Sequence, residues 1–137
     1  MNQIEKILYT GRTHTSGGRA GTARSSDGAL DVALSPPGFG NGTNPEQLFA
    51  AGWSACFLGA ISAVASKLKV ALPADRTVDA EVDLVMEAEQ YVLRARLNVS
   101  LPGIERELAE QLVAAAHQTC PYSKATRGNI PVEINVV

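Results

Sequence analysis

"NPEQLFAAGWSACFLGAISAVASKLK", residues 44–69, decides the fold. Asn44 is a helix-capping residue type, Pro45 suits the first helical position because an N–H there has no partner to lose, and Glu46 complements the positive helix start. Gln47 to Ser66 then contains no charged side chain. The pattern predicts one helix running to about Lys69. The uncharged run is long enough to cross a bilayer, yet Gly52, Ser54, Gly59, Ser62 and the alanines dilute it, and one weak span has no companion elsewhere in the chain. A helix apolar on all sides is also what the centre of a soluble fold requires. The expectation is a buried central helix and no membrane partner.

Upstream of that helix the chain is extended and rich in turns. Ser16-Gly17-Gly18 and Ser26-Asp27-Gly28 mark reversals between short strands expected at about 3–14, 19–25 and 29–34, with a loop from Pro36 to Asn44. Downstream, Val78, Ala80, Val82, Leu84 and Met86 alternate with acids, and Tyr91, Leu93, Ala95, Leu97 and Val99 alternate with Arg94 and Arg96. This predicts an antiparallel hairpin with one apolar face and opposite charges able to pair on the other. Pro102-Gly103 ends it. Ile104, Leu108, Leu112, Ala115, Ala116 and Thr119 then make one stripe of a second, amphipathic helix whose other side carries Glu105, Arg106, Glu107 and Glu110. The chain breaks at Cys120-Pro121, turns at Arg127-Gly128-Asn129, and closes on a strand with Ile130, Val132, Ile134 and Val136 on one face. With no repeat or low-complexity segment, a single α+β domain over 1–137 is expected.

Composition narrows the function. The 137 residues are 45% apolar and 19% charged, which suits a packed core rather than a disordered chain. Net charge is −2, with Lys and Arg scattered, so no nucleic-acid partner or anionic membrane surface is expected. The opening MNQIEKILYT lacks the basic start and apolar run of a signal peptide, and the expected address is cytoplasmic. Two cysteines in such a compartment point to transient or catalytic sulfur chemistry more than to a structural disulfide.

Cys56 shares a helical face with Phe49, Gly52, Trp53, Gly59, Ala60 and Ala63, by three- and four-residue spacing. Taken alone it reads as a small core hydrophobe. Cys120 alters that reading, because it ends the second helix, the element expected to pack on the small face of the first. A reversible disulfide needs Cα atoms within about 7 Å, a distance two packed helices supply. The negative end of a helix disfavours a thiolate at Cys120, so Cys56 is the expected nucleophile and Cys120 the resolving thiol. A buried thiolate needs a cation, and Arg19 in "SGGRAG" is a permanent one. Glu46 can orient Arg19 through a bidentate pair, although about 15 Å of ideal helix separates Glu46 from Cys56 unless the helix begins late or bends near Gly52. Phe49, Trp53 and Phe57 offer an alkyl chain apolar surface, and Tyr122 is an aromatic of the core or pocket wall. His14, His117, Cys56 and Cys120 lack paired-ligand spacing for zinc, so neither a metal nor a cofactor is expected. "GFGNGTNPE" lacks the signature of a phosphate loop and reads as an ordinary loop.

"NPEQLFAAGWSACFLGAI", "TCPYSKATRGNIPVEI" and "GGRAG" together closely resemble the organic hydroperoxide resistance proteins of the Ohr/OsmC superfamily, over nearly the whole chain. "CPYSKATRGN" resembles the Ohr branch more than the OsmC branch. The resemblance implies an OsmC-like fold in which a long central helix and a second helix pack against antiparallel sheets. It also implies an intertwined homodimer with active sites at the subunit interface. By it Cys56 matches the peroxidatic cysteine, Cys120 the resolving cysteine, and Arg19 and Glu46 the pair that activates the thiolate. The implied substrates are organic hydroperoxides and the implied reductant is dihydrolipoamide or a lipoylated protein. Trp53 stands where relatives commonly carry Tyr, a departure that bears on pocket shape. The rival reading is a thiol-based redox sensor or binding module using the same cysteine pair, oxidised once rather than turning over.

Overall fold

The structure is a computed structural model that describes residues 5–137. The chain divides into two compact units, one ending at Pro45 and one spanning Glu46–Val137.

The N-terminal unit is an antiparallel meander of β1 (Thr13–Ser16), β2 (Thr22–Ser25) and β3 (Asp31–Ala33) in that order. Thr13 faces Ser25, and Thr22 faces both Ser16 and Ala33. A 3-10 turn, Gly18–Ala20, joins β1 to β2. Its tightness depends on glycine: Gly17 has φ 77°, and a Cβ at Gly21 would stand 1.7 Å from the Ser16 carbonyl oxygen. That turn carries Arg19. The β2–β3 reversal is closed by Asp27, whose carboxylate accepts from the Ser25 hydroxyl at 2.6 Å and the Ala29 N–H at 3.0 Å. These bonds, the hydroxyl first, hold the Asp27 carboxyl below its usual range.

The strand expected at 3–14 is corrected to β1. Residues 1–4 lie outside the described residues, and 5–12 form no strand. Ile7, Leu8 and Tyr9 are instead more than four-fifths exposed (82%, 85% and 82%). A strand needs a neighbour to pair its backbone, and alternation alone does not supply one.

The second unit opens with α1 (Pro45–Leu68), which starts at Pro45 as its sequence dictates and stops where Lys69 enters the left-handed region at φ 58°. The Val70 N–H then closes on the Ala65 carbonyl at 2.9 Å, satisfying one of the last turn's free acceptors. β4 (Thr77–Glu87) and β5 (Gln90–Ser100) form the expected hairpin, with Glu81 opposite Arg96 and Leu84 opposite Leu93. Ala88 and Glu89 make its turn with positive φ at both positions (50° and 65°), the geometry a two-residue hairpin requires. On the polar face Arg96 donates from Nε to Glu81 at 2.8 Å and in a fork to Asp83 at 2.9 Å. Both ladder strands are thereby cross-linked.

α2 (Arg106–Thr119) follows, with Glu105 at its N-cap accepting from the Leu108 N–H at 3.4 Å. A short third helix absent from the sequence reading, α3 (Pro121–Thr126), precedes β6 (Val132–Val136). The sheet order is β4-β5-β6, and β6 runs parallel to β5, with Ala95 opposite Val132 and Val99 opposite Val136. This corrects the expectation of purely antiparallel sheets. α2 and α3 form a crossover that returns the chain to the starting end of β5, and a strand that follows such a crossover must run parallel. The core comprises Trp53, Phe57, Ile61 and Ala65 of α1, Ala95, Leu97 and Val99 of β5, Leu112, Val113 and Ala116 of α2, and Cys120. Each fully buried large side chain in it contributes on the order of 1.5–3 kcal/mol.

Candidate active site

Cys56 lies in the fourth turn of α1 and is half-buried; Cys120 is wholly buried. Both are free thiols, and the Cys120 thiol donates to Cys56 Sγ at 3.4 Å. That contact realises the pairing expected from the two helix positions. A disulfide between them would require the sulfurs to close to about 2.05 Å.

Cys120 ends α2 as expected, but a second helix begins at the same residue. Cys120 closes α2, donating its N–H to the Ala116 carbonyl at 2.8 Å, and is at the same time the N-cap of α3. Its backbone is extended, at φ −64° and ψ 123°, so it forms the break between two helices. The negative end of α2 and the positive end of α3 meet there, and the dipole of one helix no longer decides its ionisation. What distinguishes the thiols is access, because the half-buried Cys56 can meet a substrate and the buried Cys120 cannot. Burial pushes the Cys56 thiol above the ordinary value and the shared proton with Cys120 adds to this, while the Tyr122 backbone amide pulls it down. Ionising Cys56 therefore requires further positive charge.

The aromatics gather beside the thiols. The Phe49 ring lies 5.4 Å from Trp53 and 6.4 Å from Tyr122, nearly parallel to the latter at 28°. Gly52 leaves room for this approach: a Cβ there would stand 3.7 Å from Tyr122 Cε2. Trp53 and Phe57 are completely buried, so Phe49 and the 42%-exposed Tyr122 are the expected wall residues with surface to offer. The small residues split differently from expectation. Ala60 faces the core, whereas Gly59 and Ala63 are exposed with Ala51 and Ala55. The side of α1 that meets Cys120 is thus the aromatic one.

Arg19 occupies the turn of the N-terminal unit, and Glu46 the first turn of α1. Because α1 begins at Pro45, a late helix start does not shorten the distance of about 15 Å between Glu46 and Cys56. Ser123 was missed by the sequence reading. It is wholly buried and accepts from Trp53 Nε1 at 3.3 Å. Its signal was the proline after Cys120, which suits the first position of a new helix as well as the end of an old one. Among the described residues no three His, Cys, Asp or Glu side chains gather into a metal-binding group.

Two thiols in contact between a long apolar helix and a helix break define a dithiol protein of the α+β class. The model of the family described as OsmC-like protein matches residues 38–135. The organic hydroperoxide resistance protein of Xanthomonas axonopodis pv. citri is 46% identical, over 99% of both chains. Among solved structures, OhrB of Bacillus subtilis matches with a TM-score of 0.90 at 40% identity, over 96% of this chain and 100% of that one. A putative organic hydroperoxide resistance protein from Vibrio cholerae, crystallised with captopril in one of its active sites, also matches with a TM-score of 0.90 at 40% identity, over 99% and 96%. The chain belongs to the OsmC-like family, in its organic hydroperoxide resistance branch.

Proposed function

We propose that this protein is a thiol peroxidase that reduces organic hydroperoxides to alcohols, and the observation that carries the reading is the 3.4 Å contact between Cys56 and Cys120. The Cys56 thiolate attacks the distal peroxide oxygen, the O–O bond breaks, and the alcohol leaves with a proton. Cys56 is left as a sulfenic acid. Cys120 attacks that sulfur, water leaves, and a disulfide forms. A dihydrolipoyl dithiol, free as dihydrolipoamide or carried on a lipoylated protein, then reduces the disulfide by exchange and is itself oxidised to the cyclic disulfide. No cofactor enters the cycle.

Arg19 is the proposed cation that offsets the burial of the Cys56 thiolate, with Glu46 orienting it; this assignment rests on the family motifs "GGRAG" and "NPEQ". Phe49, Trp53, Phe57 and Tyr122 are the proposed pocket, with Phe49 and Tyr122 presenting surface and the buried Trp53 and Phe57 backing it. Each CH₂ of a substrate chain moved from water onto such surface gains about 0.8 kcal/mol, a gain hydrogen peroxide does not share. The working unit is proposed to be a cytoplasmic homodimer of single-domain subunits. The exposed row Ala51, Ala55, Gly59 and Ala63, one residue per helical turn, supports it, because small side chains let a second helix approach closely.

The test is steady-state consumption of an alkyl hydroperoxide and of hydrogen peroxide, each with dihydrolipoamide, thioredoxin or glutathione as reductant. The expected result is a kcat/KM at least tenfold higher for the alkyl substrate, given about 1.4 kcal/mol per factor of ten, with dihydrolipoamide the fastest reductant. Equal rates for both peroxides, or faster recycling by glutathione, contradict the reading.

A further inference from the structure

We propose that Trp53 and Ser123 are a positioning pair that sets how fast Cys120 captures an oxidised Cys56. The inference rests on the two-thiol cycle above. Trp53 stands three residues before Cys56 on α1, and Ser123 three residues after Cys120 in the first turn of α3. The segments bearing the thiols are therefore joined by the sulfur contact at 3.4 Å, by the Tyr122 backbone amide on the Cys56 sulfur, and by the bond from Trp53 Nε1 to Ser123 Oγ at 3.3 Å. Indole N–H only donates, so the direction of the second bond is fixed. Both residues are completely buried, and neither group has water to replace the other.

The arrangement matters because Cys120 is the pivot. It is the single extended residue between α2 and α3, and a change in its ψ swings α3 relative to α2. α3 is held to Cys120 by the Lys124 N–H on the Cys120 carbonyl at 3.0 Å, and to α2 by the Arg127 guanidinium on the His117 carbonyl. Those bonds fix α3 to the resolving segment. The indole–hydroxyl bond alone among these ties α3 to the helix that carries Cys56. Losing it leaves α3 held to α1 by the Tyr122 amide on the Cys56 sulfur and by aromatic packing, a looser hold on the sulfur-to-sulfur approach.

An oxidised Cys56 has two fates. In one, Cys120 sulfur bonds to Cys56 sulfur, the S–O bond breaks, and hydroxide leaves with the Cys120 proton as water. In the other, a second hydroperoxide transfers its distal oxygen to the sulfenic sulfur, giving a sulfinic acid and an alcohol. The first is a capture within one molecule, whose rate follows the fraction of time the sulfurs are in reach. The second is set by peroxide concentration. Position therefore governs the partition between them.

The experiment measures the fraction of turnovers ending in Cys56 sulfinic acid, by mass spectrometry at rising hydroperoxide with dihydrolipoamide present. Each value is divided by that variant's own rate for the first peroxide equivalent, which removes any change in peroxide attack. Ser123→Ala should raise this partition roughly two- to tenfold, the factor expected from one neutral hydrogen bond. Trp53→Phe should raise it by a similar factor, and the double variant should do no more than the larger single, since both remove the same bond. Ser123→Thr keeps the hydroxyl and should bring the partition back toward wild type. An unchanged partition in a folded Ser123→Ala protein, or effects that multiply in the double variant, overturns the proposal. Should Ser123→Ala not fold, an unchanged partition for Trp53→Phe overturns it alone. Wild-type protein that consumes no organic hydroperoxide overturns the cycle itself, and the positioning role with it.

Discussion

α1 and α2 each bring a cysteine to the same place, but they are written in different ways. α2 spends its apolar residues on one stripe, with Ala109, Leu112, Val113 and Ala116 buried and Arg106, Glu107 and Glu110 in water. α1 has no such division. Trp53, Phe57, Ala60, Ile61 and Ala65 are buried, yet the uncharged helix also exposes Ala51, Ala55, Gly59 and Ala63. Its apolar surface exceeds what one chain covers. The helix qualifies by length and hydropathy as a membrane span, but only 28% of its apolar window is buried in this chain. Those properties also suit a helix that packs against its counterpart in a second subunit, as proposed above. One lesson is that a stripe reports which face a chain buries, whereas apolarity on all sides names no single face.

The contrast is broken most severely at the sulfurs. Cys56→Ser on α1 should abolish turnover completely, while Cys120→Ser at the end of α2 should still consume one equivalent of hydroperoxide and hold Cys56 as a sulfenic acid, detectable with a dimedone-type probe. Retained turnover in Cys56→Ser, or a Cys120→Ser protein that fails to react with the first equivalent, reverses the roles assigned to the two helices.

The same substitution on the two helices gives the next largest effect. Ala55→Arg places a cation on the exposed small row of α1, and Ala114→Arg places one on the exposed side of α2. Sedimentation at micromolar concentration should find Ala55→Arg monomeric and Ala114→Arg assembled like the wild type. A weakening of at least a hundredfold is expected, since a buried unpaired charge costs several kcal/mol. Equal behaviour of the two variants removes the difference drawn between the helices.

The smallest effect concerns the last turn of α2. His117 Nδ1 is buried with no hydrogen-bond partner among the described residues, and burial first, then the nearby Arg127 charge, lowers the imidazole pKa below its usual 6.5. Between the lowered folded value and 6.5 the unfolded chain binds more protons, so stability falls as pH drops through that window and levels off below it. Urea denaturation at neutral pH and at about pH 5 should show this loss in the wild type, and a shallower one in His117→Asn. Identical slopes would mean that His117 titrates normally.

Much of this was legible from spacing. Pro45 and Glu46 announced the start of α1, the alternation through Val78–Met86 and Tyr91–Val99 gave the hairpin, and Ile104–Thr119 gave α2. Each depends on residues no more than four apart, or on neighbouring strands joined by a short turn, where local geometry dominates. The Arg96 bonds to Glu81 and Asp83 follow from the same alternation. The two cysteines were recognisable as candidates for one site because one sits in the uncharged helix and the other at the end of the amphipathic helix expected to pack on it.

Other features belonged to the tertiary structure alone. The strand expected from residue 3 does not form over 5–12, and alternation does not reveal whether a strand will find a neighbour to pair with. β6 was readable as a strand but its parallel direction was not, because direction is set by the crossover through α2 and α3. α3 was hidden by a proline that looked like an ending. The composition of α1 determined that it would be a helix with apolar surroundings, but a helix without a polar side carries no mark of which face turns inward. Only packing against Leu97, Leu112 and Cys120 turned Trp53 and Phe57 to the core and left Ala55 and Gly59 outside. The bond between Trp53 and Ser123 joins residues 70 positions apart, and nothing local to either could announce it.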